Sequence, residues 1–249
     1  MSSQLQELQH STAIGELLHR LCVRFHFASV KSVRNTMAQS GAIISGSVAL
    51  AVLQPQMQEP SDIDFYVPPR GLARLLKFIL SHGYDLTVPA PGEGDYQAFT
   101  DRAPGEGKYP PRIVLKLVHP ASGSRVDIVV PLAAKSVVEE VTKFHSTVVM
   151  NYVTHYGVVS LYPSWTMCGV GAVVREGAEE RCIQKYRDRG YTMVNDPSLL
   201  PMGGEGQCLG PQAKRSTFDD ETLLIPFDDY APTANLSAFE ARETSWTLG

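Results

Sequence analysis

The chain has 249 residues, of which 43% are hydrophobic and 19% are charged, and its formal net charge at pH 7 is −4. Such a chain can bury a core, and its length favours one main domain. The weakly acidic balance lacks the basic surface typical of proteins that bind duplex nucleic acid. No apolar run approaches the roughly 18 residues that span a bilayer, and the N-terminus lacks the apolar segment of a secretory signal. We therefore expect a soluble, cytoplasmic protein that binds neither a membrane nor duplex nucleic acid.

Four cysteines are scattered along the chain: Cys22, Cys168, Cys182 and Cys208. They show neither a CxxC pair nor the spacing of a zinc site, so the sequence predicts neither a disulfide framework nor structural zinc and fits a reducing, intracellular setting. Charge is uneven, because residues 201–249 carry eight acidic groups against three basic ones.

The N-terminal part of the chain begins with helical periodicity. Apolar residues recur at helical spacing up to Ser40-Gly41 and predict two helices, or one helix broken near Ala28. The β-branched run at 42–44 predicts a short buried strand. After Gly46-Ser47, residues 48–53 are typical of a helix, which Pro55 ends.

The next segment alternates between a strand, a helix and a loop. Residues 62–67 alternate polar and apolar side chains with a period of two, which predicts a strand. Residues 72–80 form an amphipathic pattern that predicts a helix. Residues 89–111 are rich in Pro and Gly and contain the sequence PGEG twice, so they predict an exposed loop around a short strand at 96–99.

Further along, the residues 112–118 and 125–130 predict two strands joined as an antiparallel hairpin. The pattern then predicts a helix over 132–143, a strand over 157–162 and a polar helix over 177–189.

Three segments are expected. Residues 1–40 form an N-terminal helical segment, residues 41–195 the main domain, and residues 196–249 an irregular acidic tail with one strand near 223–225. The fold class is α/β in the α+β sense, with a mixed, largely antiparallel sheet flanked by helices.

Three aspartates form the informative pattern. Asp62 and Asp64 stand two residues apart on a predicted strand, so their side chains point to the same face, where their repulsion is costly unless a cation lies between them. Mg²⁺ prefers oxygen ligands and commonly binds a few carboxylates together with substrate phosphates. Asp127, on the later strand 125–130, can supply a third carboxylate if that strand lies beside the first.

Gly46 and Ser47 stand where a predicted strand meets a predicted helix. The N-terminus of a helix offers unpaired backbone N–H groups, and glycine lets a phosphate approach the backbone closely. The serine hydroxyl adds one donor. We expect the β- and γ-phosphates of a triphosphate at this turn, opposite the aspartates.

This ordered set, an apolar strand ending in Gly46-Ser47, a helix, Asp62-x-Asp64 and a later aspartate on a strand, resembles the nucleotidyltransferase superfamily. That superfamily includes polymerase-β-like enzymes, poly(A) polymerases and aminoglycoside nucleotidyltransferases. The resemblance covers roughly residues 40–131. From 41 to about 195 the chain is also similar to nucleotidyltransferase-fold proteins of mushroom-forming fungi that have no assigned substrate, with 144–152 as a further recognisable stretch.

The resemblance implies a nucleotidyltransferase-like domain with a defined division of roles. Gly46 and Ser47 would contact the phosphates, Asp62 and Asp64 would bind the metals, two Mg²⁺ ions in all, and Asp127 would be the third ligand and help to activate the attacking hydroxyl. The substrate would be a nucleoside triphosphate. Its nucleoside monophosphate would pass to a hydroxyl acceptor of unknown kind, a small molecule, a protein or an RNA end, with release of pyrophosphate.

Two features depart from the superfamily pattern. Fourteen residues separate Ser47 from Asp62, slightly more than usual, and the residues 48–50 lack the Arg that many small members carry after Gly-Ser. Lys116 is a candidate for the missing positive charge. The alternative function is a catalytically inactive nucleotidyltransferase-fold module that binds a nucleotide or a protein. A metal-dependent phosphohydrolase is less favoured, because such enzymes usually add His ligands.

The stretch around His145 has two interpretations. His145, Ser146 and Thr147 can line a nucleotide pocket, but we favour the interpretation in which Ser146 or Thr147 caps an element and His145 is an ordinary, partly buried side chain. Asn151, four positions after Thr147, would share its side of a helix.

A basic and aromatic group near the end of the main domain is also ambiguous: Lys185, Tyr186, Arg187, Arg189 and Tyr191. It can contact a phosphate or a base, although a solvated helix face is the commoner explanation.

Overall fold

The computed structural model describes seven stretches of the chain: 14–54, 60–87, 112–174, 180–199, 213–217, 219–227 and 244–248. The predicted strand at 96–99, both PGEG sequences, Pro55 and Cys208 lie outside these residues. The helices are α1 (14–24), α2 (Val30–Ser40), α3 (Gly46–Leu53), α4 (Leu72–Leu80), α5 (Val137–Val141), α6 (Pro163–Met167) and α7 (Glu180–Arg187). Short 3₁₀ turns occur at Pro69–Gly71, Thr147–Val149 and Pro197–Leu199.

The strands follow the same numbering along the chain: β1 (Ile43–Ser45), β2 (Asp62–Tyr66), β3 (Asp85–Leu86), β4 (Arg112–Val118), β5 (Arg125–Pro131), β6 (Asn151–Val153), β7 (Gly157–Ser160), β8 (Val170–Ala172), β9 (Thr192–Val194), β10 (Arg215–Ser216), β11 (Leu223–Pro226) and β12 (Ser245–Trp246).

Eight of these strands form one sheet in the order β11-β7-β6-β1-β2-β5-β4-β3. Neighbours pair antiparallel except β2 and β5, which run parallel. The pairs β8–β9 and β10–β12 form two smaller sheets. The chain is therefore mixed α/β with a large mixed sheet flanked by helices, as predicted, and the predicted β4–β5 hairpin is confirmed.

One face of the large sheet packs against α1, α2 and α4. The alternate residues Ile63 and Phe65 of β2 and Val126 and Ile128 of β5 belong to this core, together with buried residues of those helices. Because successive side chains of a strand point to opposite faces, the other residues of β2 and β5, including the aspartates, face away from these helices.

The opposite face is covered only in part. Its core joins sheet residues such as Tyr66 and Val129 to residues of α5, α6 and β8. The end of the chain also packs here, since Trp246 Nε1 donates to the Tyr162 hydroxyl at 2.7 Å. The three aspartates lie on this face and are half-buried.

The N-terminal prediction is confirmed. Two helices occupy 14–24 and Val30–Ser40, and Ala28 lies in the break between them. The strand at Leu223–Pro226 is also confirmed, and it joins the large sheet beside β7.

The predicted helix over 132–143 is wrong in its extent, because only Val137–Val141 is an α-helix. Ser136 caps this helix, with its side chain accepting from the Glu139 N–H. The Glu139 carboxylate in turn accepts from the Lys135 N–H at 2.7 Å. This reciprocal capping fixes the start of the helix at Ser136.

The helical side suggested for Thr147 and Asn151 is also wrong. A 3₁₀ turn at Thr147–Val149 is followed directly by β6, which starts at Asn151. The segment that starts at Asn151 forms a strand instead of a helix because Tyr152 and Val153 pair with β1. Aromatic and β-branched residues of this kind favour strands.

None of the helices in the described part of the chain is both long enough and apolar enough to cross a membrane.

Gly71, in the segment that follows β2, packs closely against the end of α2. This contact yields a stability prediction. A Cβ at Gly71 would overlap the backbone carbonyl of Ser40, at the end of α2. We expect Gly71→Ala to lower the free energy of unfolding by about 1–3 kcal/mol, because neither backbone can move without disturbing the core. Urea denaturation measures the change.

Gly15→Ala is the matched control. A Cβ at Gly15, within α1, would meet no atom within 4 Å, so this substitution should stabilise the helix by up to about 1 kcal/mol. Equal effects of the two substitutions would contradict the close contact at Gly71.

Candidate functional site

Asp64 on β2 lies directly beside Asp127 on β5. The two strands are parallel and their register pairs these residues, so both side chains point to the same face. Ser45 of β1 is in register with Asp64, and Lys116 of β4 is in register with Asp127. A polar row of Ser45, Asp64, Asp127 and Lys116 therefore crosses four adjacent strands.

Asp62 extends this row along β2. It stands two residues before Asp64 and shares its face. Its register partner is Arg125, whose Nη2 atom lies 3.9 Å from Asp62 Oδ2, with the Arg125 side chain 56% exposed. Because this ion pair is exposed, it is weak, and a divalent cation can displace the Arg125 guanidinium from Asp62. The fold thus brings all three predicted aspartates, Asp62, Asp64 and Asp127, to one face.

The aspartates influence one another electrostatically. Burial, together with the smaller effects of the negative charges of Asp62 and Asp127, raises the pKa of Asp64 to about 7, and Lys185 opposes the shift. Burial also raises the pKa of Asp127, where Lys116 acts in the opposite direction and Asp62 in the same one. The cluster is therefore short of positive charge.

Gly46 begins α3 against the Asp64 carboxylate. Its φ is +68°, in the left-handed region that favours glycine. A Cβ at this position would lie 2.6 Å from Asp64 Oδ2. Both facts require glycine here. The free N–H groups of the first turn of α3 consequently start beside the aspartates, where they can bind an anionic oxygen.

The two serines beside Gly46 differ in their contacts. Ser45 Oγ donates to the Asn151 carbonyl at 2.6 Å. Ser47 is 6% exposed, and its buried Oγ has no hydrogen-bond partner among the residues that the structure describes. A buried hydroxyl without a partner is costly, and Ser47 therefore has donor capacity for a ligand at the start of α3.

A pocket of about 180 Å³ opens beside Gly46. Its walls come from the sheet, the start of α3, the segment before β6 and α7: Gly46, Tyr66, Arg112, Phe144, His145, Val149 and Tyr186. His145 therefore lines the pocket. It is also partly buried, and Ser146 stands at the N-cap position of the following 3₁₀ turn, as in the interpretation that we favoured from the sequence.

Buried hydrogen bonds hold the segment that carries Phe144 and His145. Asn151 Nδ2 donates to the Val148 carbonyl at 2.7 Å, and the Ser160 hydroxyl donates to Asn151 Oδ1 at 2.6 Å. Thr147 Oγ1 accepts from the Ala172 N–H. Thr147 and Asn151 thus position the pocket wall and do not line the pocket themselves.

The helix α7 carries functional candidates that the sequence left as a solvated face. Tyr186 is buried and packs with Leu50 of α3 and with the 3₁₀ turn before β6. Lys185 lowers the pKa of Asp64, and its Nζ lies 5.9 Å from the centre of the Tyr186 ring. The helix α7 therefore places the Lys185 cation near the aspartate cluster. The sequence of α7 does not show which elements the helix packs against.

Arg112 is a pocket residue that sequence reasoning missed. It begins β4, four positions before Lys116. Because side chains alternate along a strand, Arg112 and Lys116 point to the face that carries the aspartates. The alternation of side chains along β4 was the signal in the sequence that could have identified Arg112. To use this signal, one would have had to know that β4 lies beside β5.

The donor set suits a hard divalent cation. Among the described residues, no group of three or more His, Cys, Asp or Glu side chains forms a ready-made metal site. Mg²⁺, however, is commonly bound by one or two carboxylates together with substrate phosphates. Asp62, Asp64 and Asp127 are the carboxylates on this face of the sheet that could hold such an ion.

The chain matches no protein-family model, and no curated protein or solved structure is significantly similar to it.

The raised pKa of Asp64 gives a pH prediction. An aspartate with a folded-state pKa of about 7 holds its proton in the folded state when the unfolded state has already lost it, so stability falls as the pH rises from about 4 to about 7. In EDTA, Asp64→Asn should lack this loss and exceed the wild type at pH 8 by up to about 4 kcal/mol. Denaturant unfolding across the pH range measures it.

Asp85→Asn, at an exposed position on β3, is the control and should follow the wild-type curve. Identical pH dependences of the wild type and Asp64→Asn would contradict the electrostatic account of the cluster.

Proposed function

We propose that the chain is a Mg²⁺-dependent nucleotidyltransferase, which transfers a nucleoside monophosphate from a nucleoside triphosphate to a hydroxyl acceptor. The observation that carries the proposal is the register of Asp64 with Asp127 across two parallel strands, with Asp62 on the same face and Gly46 against Asp64. Carboxylates so close together are typical of sites that bind a divalent cation and phosphate.

The order of the elements supports the same proposal. A strand that ends at Ser45, a helix that begins at Gly46, a strand with two aspartates and a neighbouring strand with a third follow the pattern of the nucleotidyltransferase superfamily. The large mixed sheet is compatible with that fold. Fold alone does not establish an activity, so the proposal depends on the aspartates.

Asp62, Asp64 and Asp127 would hold Mg²⁺, which supplies positive charge to the transferring phosphoryl group and to the leaving pyrophosphate and lowers the pKa of the acceptor hydroxyl. The triphosphate would rest at the start of α3, bound by backbone N–H groups and the Ser47 hydroxyl.

Asp127 would receive the proton. It lies in register with Asp64 on the neighbouring strand, which places a carboxylate beside the proposed metal site to act as the base. The acceptor oxygen forms a bond to the α-phosphorus, its proton passes to Asp127, and the bond between the α-phosphorus and the bridging oxygen of the β-phosphate breaks. Pyrophosphate leaves with that oxygen.

Lys185 supplies charge that the sequence around Gly46 lacks. Lys185 acts electrostatically on Asp64 and belongs to the helix whose Tyr186 lines the pocket beside Gly46. An ammonium group at this position can neutralise a phosphate. Lys116, the candidate suggested by the sequence, is in register with Asp127 and is better placed to balance that carboxylate.

The aspartates yield the first functional prediction. Asp62→Ala and Asp64→Ala should each abolish Mg²⁺-dependent release of pyrophosphate from ATP, CTP, GTP and UTP in the presence of a panel of hydroxyl acceptors, because the metal loses a carboxylate. Circular dichroism should show that both variants remain folded. Asp85→Asn, which removes an exposed carboxylate from the same sheet, is the control and should retain activity.

Full activity in either alanine variant would exclude this mechanism. If the wild type binds nucleotides by calorimetry but releases no pyrophosphate with any acceptor, the chain is a catalytically silent nucleotide-binding module.

Lys185 yields a second prediction. Lys185→Met should weaken triphosphate binding by about tenfold to a hundredfold, since contacts of charged groups contribute roughly 1.5–3 kcal/mol, and it should weaken monophosphate binding much less. Titration calorimetry with ATP and AMP in Mg²⁺ measures both. Arg187→Met is the control on the same helix, because Arg187 pairs with Glu180. Equal affinities for the wild type and Lys185→Met would remove Lys185 from the phosphate site.

A further inference from the structure

The pocket beside Gly46 is too small for a whole nucleotide. Its volume is about 180 Å³, whereas pockets that enclose a drug-sized ligand have volumes of about 300–1,000 Å³. It can therefore hold one part of a nucleoside triphosphate. Because Gly46 forms one wall, that part lies next to the proposed position of the phosphates.

The walls of this pocket are largely aromatic. The rings of Tyr66 and Phe144 lie 5.7 Å apart and are tilted by 55°, and the rings of His145 and Tyr186 lie 5.7 Å apart and are tilted by 40°. Tyr66 stands two residues after Asp64 on the same face of β2. Aromatic side chains stack on nucleobases, which are flat and have two π faces.

Arg112 is the cationic side chain in the wall. It begins β4, two strands away from Tyr66 across the sheet. Arg112 also interacts within the chain, but a guanidinium carries five N–H donors, which allows further contacts. It offers a ligand donors only, because it has no acceptor.

We infer that this pocket binds the base of the nucleoside triphosphate and that Arg112 selects guanine over adenine. This inference rests on the proposed nucleotidyltransferase function, and it concerns which nucleotide the same site prefers.

The hydrogen-bonding edges of the bases give the reason for guanine. Guanine presents two adjacent acceptors, N7 and O6, which match the two parallel donors of an arginine. Adenine presents one acceptor and the N6 amino group, so a donor would meet a donor. Of the two purines, guanine alone therefore satisfies both N–H groups of the Arg112 fork.

The experiment measures the affinities of GTP, ATP, CTP and UTP by titration calorimetry in Mg²⁺ without an acceptor. The wild type should bind GTP about tenfold more tightly than ATP or more, as expected for a two-point base contact. Arg112→Gln should reverse the preference, because a glutamine amide donates and accepts and so matches the N6 and N7 atoms of adenine. Arg112→Lys should bind all four with little discrimination.

Arg74→Gln is the matched control. Arg74 lies on α4, on the other side of the sheet, and bonds to Gln39. This variant should keep the wild-type preference for GTP.

Each remaining outcome is decisive. Equal affinities of the wild type for the four triphosphates would overturn the base assignment and leave the aspartate chemistry intact. A preference for GTP that survives in Arg112→Gln would remove Arg112 from base selection. If Arg112→Gln alters only the use of acceptors, the pocket holds the acceptor and the inference is wrong. If no triphosphate binds, the proposed function fails together with the inference.

Discussion

Asp64 and Asp127 face each other across the parallel pairing of β2 and β5, and this juxtaposition of like charges opposes folding. Burial and mutual repulsion raise the pKa of Asp64 to about 7, so near neutral pH the cluster exchanges protons or accepts a cation. A divalent cation with phosphate ligands would relieve the repulsion. Relief of this repulsion would contribute to the free energy of ligand binding, and the bound ligand would in turn stabilise the folded state.

The rest of the fold determines where that cluster can point. Helices α1, α2 and α4 bury the apolar residues that alternate with the aspartates, so a shift of one residue in the register of β2 would expose its apolar residues and bury the carboxylates of Asp62 and Asp64. On the face that carries the aspartates, Gly46 allows α3 to begin against Asp64. The packing of Tyr186 against α3 brings Lys185 to the cluster. Exclusion of water by these elements strengthens the electrostatic interactions at the site.

The sequence predicts this site only as far as local periodicity extends. The period of two identifies Asp62 and Asp64 as sharing a face, and the strand, turn and helix around Gly46 follow from residue types. The sequence cannot show that β2 pairs with β5, since more than fifty residues separate the two strands and residues outside the described ranges lie between them. Arg112 was missed for the same reason, and for Lys185 the sequence favoured a solvated helix face over a contact with a phosphate. The helix over 132–143 was placed wrongly because the apolar pattern outweighed the capping signal of Ser136 and Glu139.

The central claim is that the three aspartates and a triphosphate together bind a divalent cation. Electron paramagnetic resonance of Mn²⁺, used in place of Mg²⁺, tests it directly. The wild-type protein with GTP should broaden the Mn²⁺ signal beyond that of the Mn²⁺–GTP complex alone, and the double variant Asp62→Asn and Asp64→Asn should not. A spectrum of the wild type that equals that of Mn²⁺–GTP without protein would contradict the claim.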